Sequence, residues 1–259
     1  MPTSKFDTEI YKKIAIAFGS LDGFQDKHIL GADHDVAASS TEDVTEDGVI
    51  TFLEAPTTVR IKAGGNAADD ASGAGAREIT LEGLDENWDQ ITETITTAGA
   101  SASSVTTNQF IRVTRAYCSS VGTYTGNNTG EIVIENGTGG TDLLGIEAGI
   151  GASETSEYSI PAGWHGFITR VSAHVDASKA CDMKMWERFN ADDASVPYSG
   201  AKIIITEFPQ LIGEAEEHFD AFVYIPPKSD VWWTATTGGG ASASVEVDYD
   251  IFLVKDGYV

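Results

Sequence analysis

The run near the end of the chain, residues 244–254, restricts the fold more than any other stretch because it alternates between two kinds of side chain. In an extended chain its apolar residues share one face and its carboxylates share the other: Val245, Val247, Tyr249, Ile251 and Leu253 against Glu246, Asp248 and Asp250. A period of two residues is typical of a strand buried on one side. Because a sheet with one apolar face needs a second layer, the run predicts a layered β structure.

The segment before this strand suggests its partner. Pro226 and Pro227 end the preceding element and set an extended entry into a second apolar run, Val231–Ala235. Three consecutive glycines at residues 238–240 follow, and glycine permits a reversal of the chain. We therefore expect the two runs to pair as an antiparallel hairpin.

Short β-like runs recur from residue 49 onward, and turn residues such as Asn136-Gly137 separate nearly all of them. Many short strands divided in this way are typical of an antiparallel β-sandwich or barrel. No long helical pattern interrupts them, which excludes parallel βαβ units. The predicted strands are Val49–Leu53, Thr58–Ala63, Glu78–Leu84, Gln90–Thr97, Phe110–Cys118, Glu131–Glu135, Asp142–Ile146, Tyr158–Ile160, Gly166–Asp176, Asp182–Phe189, Lys202–Phe208, Asp220–Ile225, Val231–Ala235 and Val245–Val254.

The first 48 residues lack this pattern. Apolar residues from Phe6 to Phe18 recur at helical spacing, although an edge strand at Ile14–Phe18 is an equal alternative. Residues 19–48 are rich in Asp, Gly and Ser and carry little periodic signal. We predict an N-terminal arm over residues 1–48, a first β unit over residues 49–152 and a second β unit over residues 153–259.

The net charge of the chain limits the classes of partner that it can bind. The 259 residues include 40 acidic and 16 basic side chains, which give a formal net charge of −24. Nucleic acid and an anionic membrane surface are excluded as partners because both attract clustered Lys and Arg. An excess of carboxylates keeps a protein soluble at the cost of self-repulsion, and we infer a marine or halophilic source.

The cysteines and the N-terminus bear on location. Cys118 and Cys181 lie far apart in β-like runs, and two buried thiols are favoured over one disulfide. The polar N-terminus does not resemble a signal peptide, and no segment is long and apolar enough to span a membrane. We expect synthesis in the cytoplasm.

Carboxylates in the loops are the candidate metal ligands: Asp33, Asp35, Asp69, Asp70, Asp192 and Asp193. Asp33-His34-Asp35 could contact a divalent ion, but it lacks the glycine and the final glutamate of a calcium loop. We interpret all six as solvated loop carboxylates, with a structural Ca²⁺ or Na⁺ as the alternative.

No motif indicates a reaction. The chain contains no Gly-x-Ser-x-Gly elbow and no dinucleotide fingerprint, so we predict neither catalytic residues nor a cofactor. Trp232 and Trp233 could stack on a sugar, since neighbours on a strand point to opposite faces and one could be exposed. The alternative is that both belong to the core.

Several segments between Asp33 and Val254 resemble virion structural proteins of tailed viruses that infect marine and halophilic prokaryotes. The segments are Val59–Ala63, Gly73–Arg77, Ile79–Asp85, Glu93–Ile95, Phe110–Tyr117, Ile160–Gly163, Arg188–Asp193 and Pro227–Trp232. The second half is similar to the jelly-roll portion of those proteins.

This resemblance implies a non-enzymatic virion protein of jelly-roll character, located in the virion, that assembles with copies of itself and with other virion proteins. A capsid shell, decoration, turret, neck or tail component would each agree with the motifs. The alternative from another class is a lectin-like module that binds a host surface glycan.

The acidic surface predicts a response to salt. The screening length falls from about 30 Å at 0.01 M to about 3 Å at 1 M salt, so added salt suppresses repulsion between surface carboxylates. We expect the melting temperature, followed by calorimetry, to rise steadily up to molar NaCl. Replacing Asp69, Asp70, Asp192 and Asp193 by Asn should flatten part of that rise. A melting temperature that stays level or falls would contradict the inference of a saline habitat.

Overall fold

The computed structural model describes residues 12–176, 179–193, 201–239 and 242–258. The prediction of an all-β fold is confirmed, since fifteen strands dominate these residues and every strand pairing is antiparallel. Residues 12–17 form a short helix, which favours the helical alternative for this part, whereas Phe6 and Ile10 lie outside the described residues. No helix within the described residues is long and apolar enough to span a membrane.

The strands follow in chain order. They are β1 (Phe24–Val36), β2 (Thr41–Asp43), β3 (Val59–Ile61), β4 (Ala76–Leu84), β5 (Gln90–Thr96), β6 (Arg112–Val121), β7 (Ile132–Asn136), β8 (Asp142–Ile146), β9 (Tyr158–Ser159), β10 (Trp164–Val175), β11 (Cys181–Arg188), β12 (Lys202–Leu211), β13 (Gly213–Ile225), β14 (Asp230–Thr237) and β15 (Ala243–Lys255).

Two facing sheets form a jelly roll. The first has the strand order β1-β15-β10-β13, and the second has the order β12-β11-β14-β2 with β9 beside β14. Successive strands mostly switch between the sheets, which produces the two Greek keys of this architecture. The shared core takes the alternate residues of β15 together with β10, β11 and β14, and Trp233, Tyr249, Met183 and Ile168 are all 0% exposed.

A second β unit interrupts the jelly roll between β2 and β9. Strands β3 to β8 form two three-stranded sheets, β3-β7-β8 and β5-β4-β6, around a separate core that includes Ile79, Leu81, Phe110 and Ile134. We call strands β3 to β8 the insertion. Residues 44–58 lead into it and are called the outgoing linker, and residues 147–157 lead back and are called the return linker.

The expectation of an N-terminal arm is wrong for residues 24–43. This segment supplies β1 and β2, so the jelly roll is built from both ends of the chain rather than from residues 153–259 alone. Strand β1 pairs with β15 along its length, from Phe24 opposite Val254 to Val36 opposite Ala243. Its periodicity is weak in sequence because Gly31 and Ala32 lie at its centre and a bulge follows Asp33.

The expected hairpin between the last two strands is also wrong. Strand β14 pairs with β11 and β2, whereas β15 pairs with β1 and β10 in the opposite sheet. The two strands therefore lie in opposite layers although they are neighbours in sequence. Alternation along each strand is the same in a hairpin and in a crossover, so the pattern alone does not distinguish the two.

Removing residues 1–48 should therefore abolish cooperative unfolding, because it deletes the edge strands β1 and β2 and exposes the apolar core behind β15. A chain that lacks only residues 1–20 is the control and should keep a single cooperative transition. Circular dichroism during thermal unfolding measures both. A folded, cooperative product of the longer deletion would contradict the strand assignment.

Candidate functional site

The junction between the insertion and the jelly roll contains the most unusual chemistry of the described residues. It forms on the outer side of β14, where Asp230, Trp232 and Thr234 point away from the jelly-roll core and are nevertheless buried. A small apolar cluster supports the junction and takes members from both units and from the outgoing linker: Leu84, Trp88, Ile111, Ala191, Leu53 and Ala162. The two units therefore pack as one block.

A buried ion pair joins the insertion to the jelly roll. The guanidinium of Arg112, at the start of β6, donates from Nε to Asp230 Oδ1 at 2.9 Å and from Nη2 to Asp230 Oδ2 at 2.9 Å. The two side chains are only 2% and 0% exposed. This bidentate geometry is the strongest form of an arginine–carboxylate contact, and it offsets the cost of burying both charges.

The rest of the arginine is also held. Its Nη1 donates to the carbonyl oxygens of Leu53 at 3.0 Å and Ile111 at 2.7 Å, which ties the outgoing linker to the pair. The guanidinium lies 5.2 Å from the ring centre of Phe52 and 4.9 Å from that of Trp88. Aromatic faces stabilise a cation without offering it water.

A second carboxyl group reaches the same pair. The Ser159 hydroxyl lies 2.6 Å from Asp230 Oδ1 and 2.5 Å from Glu157 Oε1. One hydroxyl proton cannot serve two carboxylates, so one of the acids must carry a proton and donate it to Ser159. Burial, reinforced by the charge of Asp230, raises the pKa of Glu157 to about 8, and this identifies Glu157 as the neutral acid.

The linkers cross the jelly roll side by side. Ser156 of the return linker donates its backbone N–H to the Val44 carbonyl of the outgoing linker at 3.0 Å. Its hydroxyl accepts the backbone N–H of Trp233 at 3.1 Å, and its carbonyl accepts the Tyr249 hydroxyl at 2.7 Å. Gly31 of β1 permits this approach, because a Cβ there would lie 2.5 Å from the Ser156 nitrogen.

An acidic cluster lies where the linkers meet β8. Glu46 presses on Gly145, where a Cβ would lie 2.5 Å from Glu46 Oε2. Burial, with the charges of Glu131, Asp47, Glu147 and Glu154, raises the pKa of Glu46 to about 8: each neighbouring carboxylate disfavours a further negative charge.

His34 enters this cluster from β1. Its Nε2 lies 3.8 Å from a carboxylate oxygen of Glu147 and 3.8 Å from one of Glu154. The three ligand atoms all lie within 4.8 Å of one another, and they are the one group of this kind among the described residues. Imidazole and carboxylate are both ligands of divalent cations, so this trio could hold one.

The structure does not gather the predicted acidic candidates into a metal site of three or more ligands within the described residues. Of the sequence Asp33-His34-Asp35, only His34 joins the cluster with Glu147 and Glu154. Asp33 is buried, accepts the Asp35 backbone N–H at 2.9 Å, and has its pKa raised to about 6 by burial. Asp35 is exposed.

The other four predicted ligands have separate roles. Asp69 is 3% exposed and accepts backbone N–H groups of Ala76, Thr129 and Gly130 at 2.8–3.0 Å, so it fastens two loops of the insertion. Asp69 is therefore neither a solvated carboxylate nor a suitable target for the salt test. Asp70 is bonded by Ser72, Asp192 pairs with Lys228 at 2.8 Å, and Asp193 is exposed.

The predicted sugar contact is wrong. Trp232 is 3% exposed and Trp233 is 0% exposed. Trp233 stacks on Phe208 in the jelly-roll core, and Trp232 meets Phe52 of the outgoing linker edge to face at 5.2 Å. The two indoles do point to opposite faces, but the outgoing linker covers the face that was expected to be open.

The two cysteines are free thiols, as the sequence analysis favoured over a disulfide. Cys181 is fully buried in the jelly-roll core, and Cys118 is partly buried in the insertion. Burial raises the pKa of both thiols, so neither is an activated nucleophile.

Comparisons with known proteins give only distant likenesses. No protein-family model matches the chain, and no curated protein sequence matches it. The structure of infectious bursal disease virus Gt strain aligns at a TM-score of 0.27 and 8% identity over 92% of this chain and 74% of that one. Infectious bursal virus derived T=1 particles align at 0.28 and 9% over 92% and 71%.

An isomalto-dextranase of Arthrobacter globiformis T6, complexed with panose, aligns at a TM-score of 0.23 and 11% identity over 85% of this chain and 36% of that one. TM-scores and sequence identities this low establish no shared function. The assignment of a jelly roll rests on the strand order of this chain.

The residues of the junction were not singled out in the sequence analysis. One signal could have found them: Arg112 interrupts the apolar run Phe110–Val113, and Asp230 begins the most buried strand, β14. A charge within a buried run needs a partner of opposite sign. With 16 basic and 40 acidic residues, however, the sequence does not indicate which carboxylate that partner is.

Arg112→Ala should lower the free energy of unfolding by about 3–5 kcal/mol, because it leaves Asp230 buried without its counter-charge. In a double-mutant cycle, the stability lost by Arg112→Met/Asp230→Leu should be much less than the sum of the losses in Arg112→Met and in Asp230→Leu. Urea unfolding of the four proteins measures the coupling.

Lys62→Ala is the matched control. It breaks the Lys62–Asp142 pair, whose side chains are each 41% exposed, and should change the free energy of unfolding little because solvent screens the pair. Additive effects of the Arg112 and Asp230 substitutions would show that the buried pair does not join the two units energetically.

Proposed function

We propose that this protein is a non-enzymatic structural component of a virion, where it associates with copies of itself and with other virion proteins. The jelly roll supports this proposal at the level of fold, because viral capsid domains use the architecture widely. Fold alone does not establish function, since lectin domains use it too. The proposal depends most on which edge strands of the two sheets are hydrogen-bonded to other segments and which are left unpaired.

One side of the jelly roll is closed by the linkers. The β1 edge receives a contact from the return linker, in which Ala32 donates its backbone N–H to the Glu154 carbonyl at 3.2 Å. The β2 edge is bonded by the outgoing linker, where Asp43 donates to the Gly48 carbonyl at 2.9 Å and accepts from Ile50 N–H at 2.9 Å. Through these contacts the linkers occupy part of each edge, which leaves less of it free to pair with another chain.

The opposite side is open. Strands β12 and β13 are the outer strands of the two sheets, and no described strand pairs with their outer edges. Five apolar side chains of these strands and of the residue between them are each 44–58% exposed: Ile203, Ile204, Ile212, Phe222 and Tyr224. We call this surface the open edge. Long edges with exposed apolar residues are ready templates for association, and soluble monomers normally blunt them.

The net charge of −24 supports the proposal of a saline setting. Copies of so acidic a chain repel one another in dilute buffer, and salt removes much of that repulsion. Assembly through an apolar edge would then be favoured in brine or seawater. A virus of marine or halophilic prokaryotes fits these conditions.

Phe222→Asp should weaken self-association about tenfold or more, because it places a charge among the exposed apolar side chains of the open edge. Light scattering after size exclusion, over a range of protein and NaCl concentrations, measures the oligomer. Tyr124→Asp is the matched control, since Tyr124 is a fully exposed aromatic residue of the insertion and lies outside the open edge.

Negative-stain microscopy of the assembled material should show closed rings, shells or tubes. A wild-type protein that stays monomeric at millimolar concentration in molar salt would refute self-association. Equal loss of assembly in both variants would show that the open edge has no special role.

A further inference from the structure

The insertion is joined to the jelly roll by two covalent connections, the outgoing and return linkers, and each carries one carboxyl group in an unfavourable setting. Glu46 lies in the outgoing linker, and Glu157 ends the return linker. Glu46 lies against Gly145 of the insertion. Glu157 reaches Asp230 of the buried ion pair through the Ser159 hydroxyl. Hinges in proteins are short segments of this kind that connect two rigid bodies.

The surroundings of Glu157 come from four elements. Asp230 of β14 and Arg112 of β6 supply the nearby charges, Tyr158 of β9 is its chain neighbour, and the Tyr249 phenol of β15 faces it. Arg112 is already fully engaged by Asp230. A second negative charge at Glu157 would leave two buried carboxylates to share one guanidinium.

The surroundings of Glu46 are more acidic still. Glu131 precedes β7, Asp47 follows in the outgoing linker, and Glu147 and Glu154 belong to the return linker. Two basic side chains near this cluster contact other carboxylates: Lys62 lies 2.6 Å from Asp142, and His34 lies 3.8 Å from Glu147 and from Glu154. A negative charge at Glu46 would therefore push the two linkers and β8 apart.

We propose that the two linkers form an alkali-sensitive hinge, which holds the insertion against the jelly roll while Glu46 and Glu157 are protonated and loosens when both ionise. The shared Ser159 hydroxyl shows that the closed arrangement needs a proton on one of the two acids it joins, and the complete burial of Glu157 beside Asp230 favours Glu157. The Glu46 carboxylate lies close against Gly145, where an added Cβ would be 2.5 Å from Oε2, so β8 covers it on that side.

The pKa values of Glu46 and Glu157 determine the direction and the pH range of the effect on stability. Burial is the main cause that raises the pKa of each glutamate from 4.5 to about 8, so the folded protein binds these protons more tightly than the unfolded chain does. Their contribution to stability is greatest below pH 4.5 and is lost progressively as the pH rises to about 8. Loosening of the hinge should have its midpoint near pH 8.

Electron–electron double resonance can measure the hinge on the monomer at low concentration, independently of assembly. Nitroxides would be placed at Tyr124→Cys in the insertion and His218→Cys in the jelly roll, with Cys118 and Cys181 replaced by Ala. We expect the interspin distance to lengthen or broaden by several ångströms between pH 7 and 9.5 and to return on acidification. The Glu46→Gln/Glu157→Gln variant should keep the pH 7 distance throughout.

Glu187→Gln is the matched control. Glu187 is a buried glutamate of β11 whose pKa is raised to about 6 by burial alone, and this variant should respond between pH 7 and 9.5 as the wild type does. Unfolding midpoints provide a second measurement: the double variant should gain stability over wild type from pH 5 to 9 and match it at pH 4.

An unchanged interspin distance in the wild type across pH 8 would overturn the hinge. So would a double variant that moves as the wild type does. If the double variant does not fold, the wild-type distance series and the Glu187→Gln series still decide between the outcomes.

Discussion

The Arg112–Asp230 ion pair is the interaction on which the relation between the two β units depends. It is almost completely buried, and it lies on the one face of β14 that a jelly-roll strand would ordinarily expose. Loss of either partner would leave the other charge buried without compensation, which is costly. The same pair orders the outgoing linker through Leu53 and places Phe52 and Trp88 over the guanidinium. An inserted unit that could have swung on two linkers is thereby held in one place.

This arrangement gives the jelly roll two unlike sides. The linkers leave and return beside β1 and β2, so their backbone groups satisfy those edges and their side chains cover Trp232. Nothing in the described residues does the same for β12 and β13, whose outer edges keep exposed isoleucine and aromatic side chains. Within the described residues, the two sides of the jelly roll therefore differ in how much of their strand edges is free for pairing.

The acidity of the chain has two different physical consequences. On the surface, most of the 40 acidic residues are solvated, and their mutual repulsion depends on salt. At the junction, burial and neighbouring carboxylates raise the pKa of the buried Glu157 and of the half-buried Glu46, which favours their neutral forms. A third use is structural, since Asp69 is buried and its oxygens accept backbone N–H groups that would otherwise lack partners. Carboxylates that look alike in the sequence therefore respond to quite different conditions.

The local pattern of the sequence determined the all-β class and most strand positions, because side-chain alternation is a property of a strand and its two faces. It did not determine which strands meet. Phe24 pairs with Val254 across nearly the whole chain, and β14 and β15 lie in opposite sheets although they are neighbours in sequence. The burial of Trp232, the partner of Arg112 and the proton on Glu157 were likewise decided only by the tertiary structure. Each depends on long-range packing that excludes water, and solvent exposure is not encoded in any single segment of the chain.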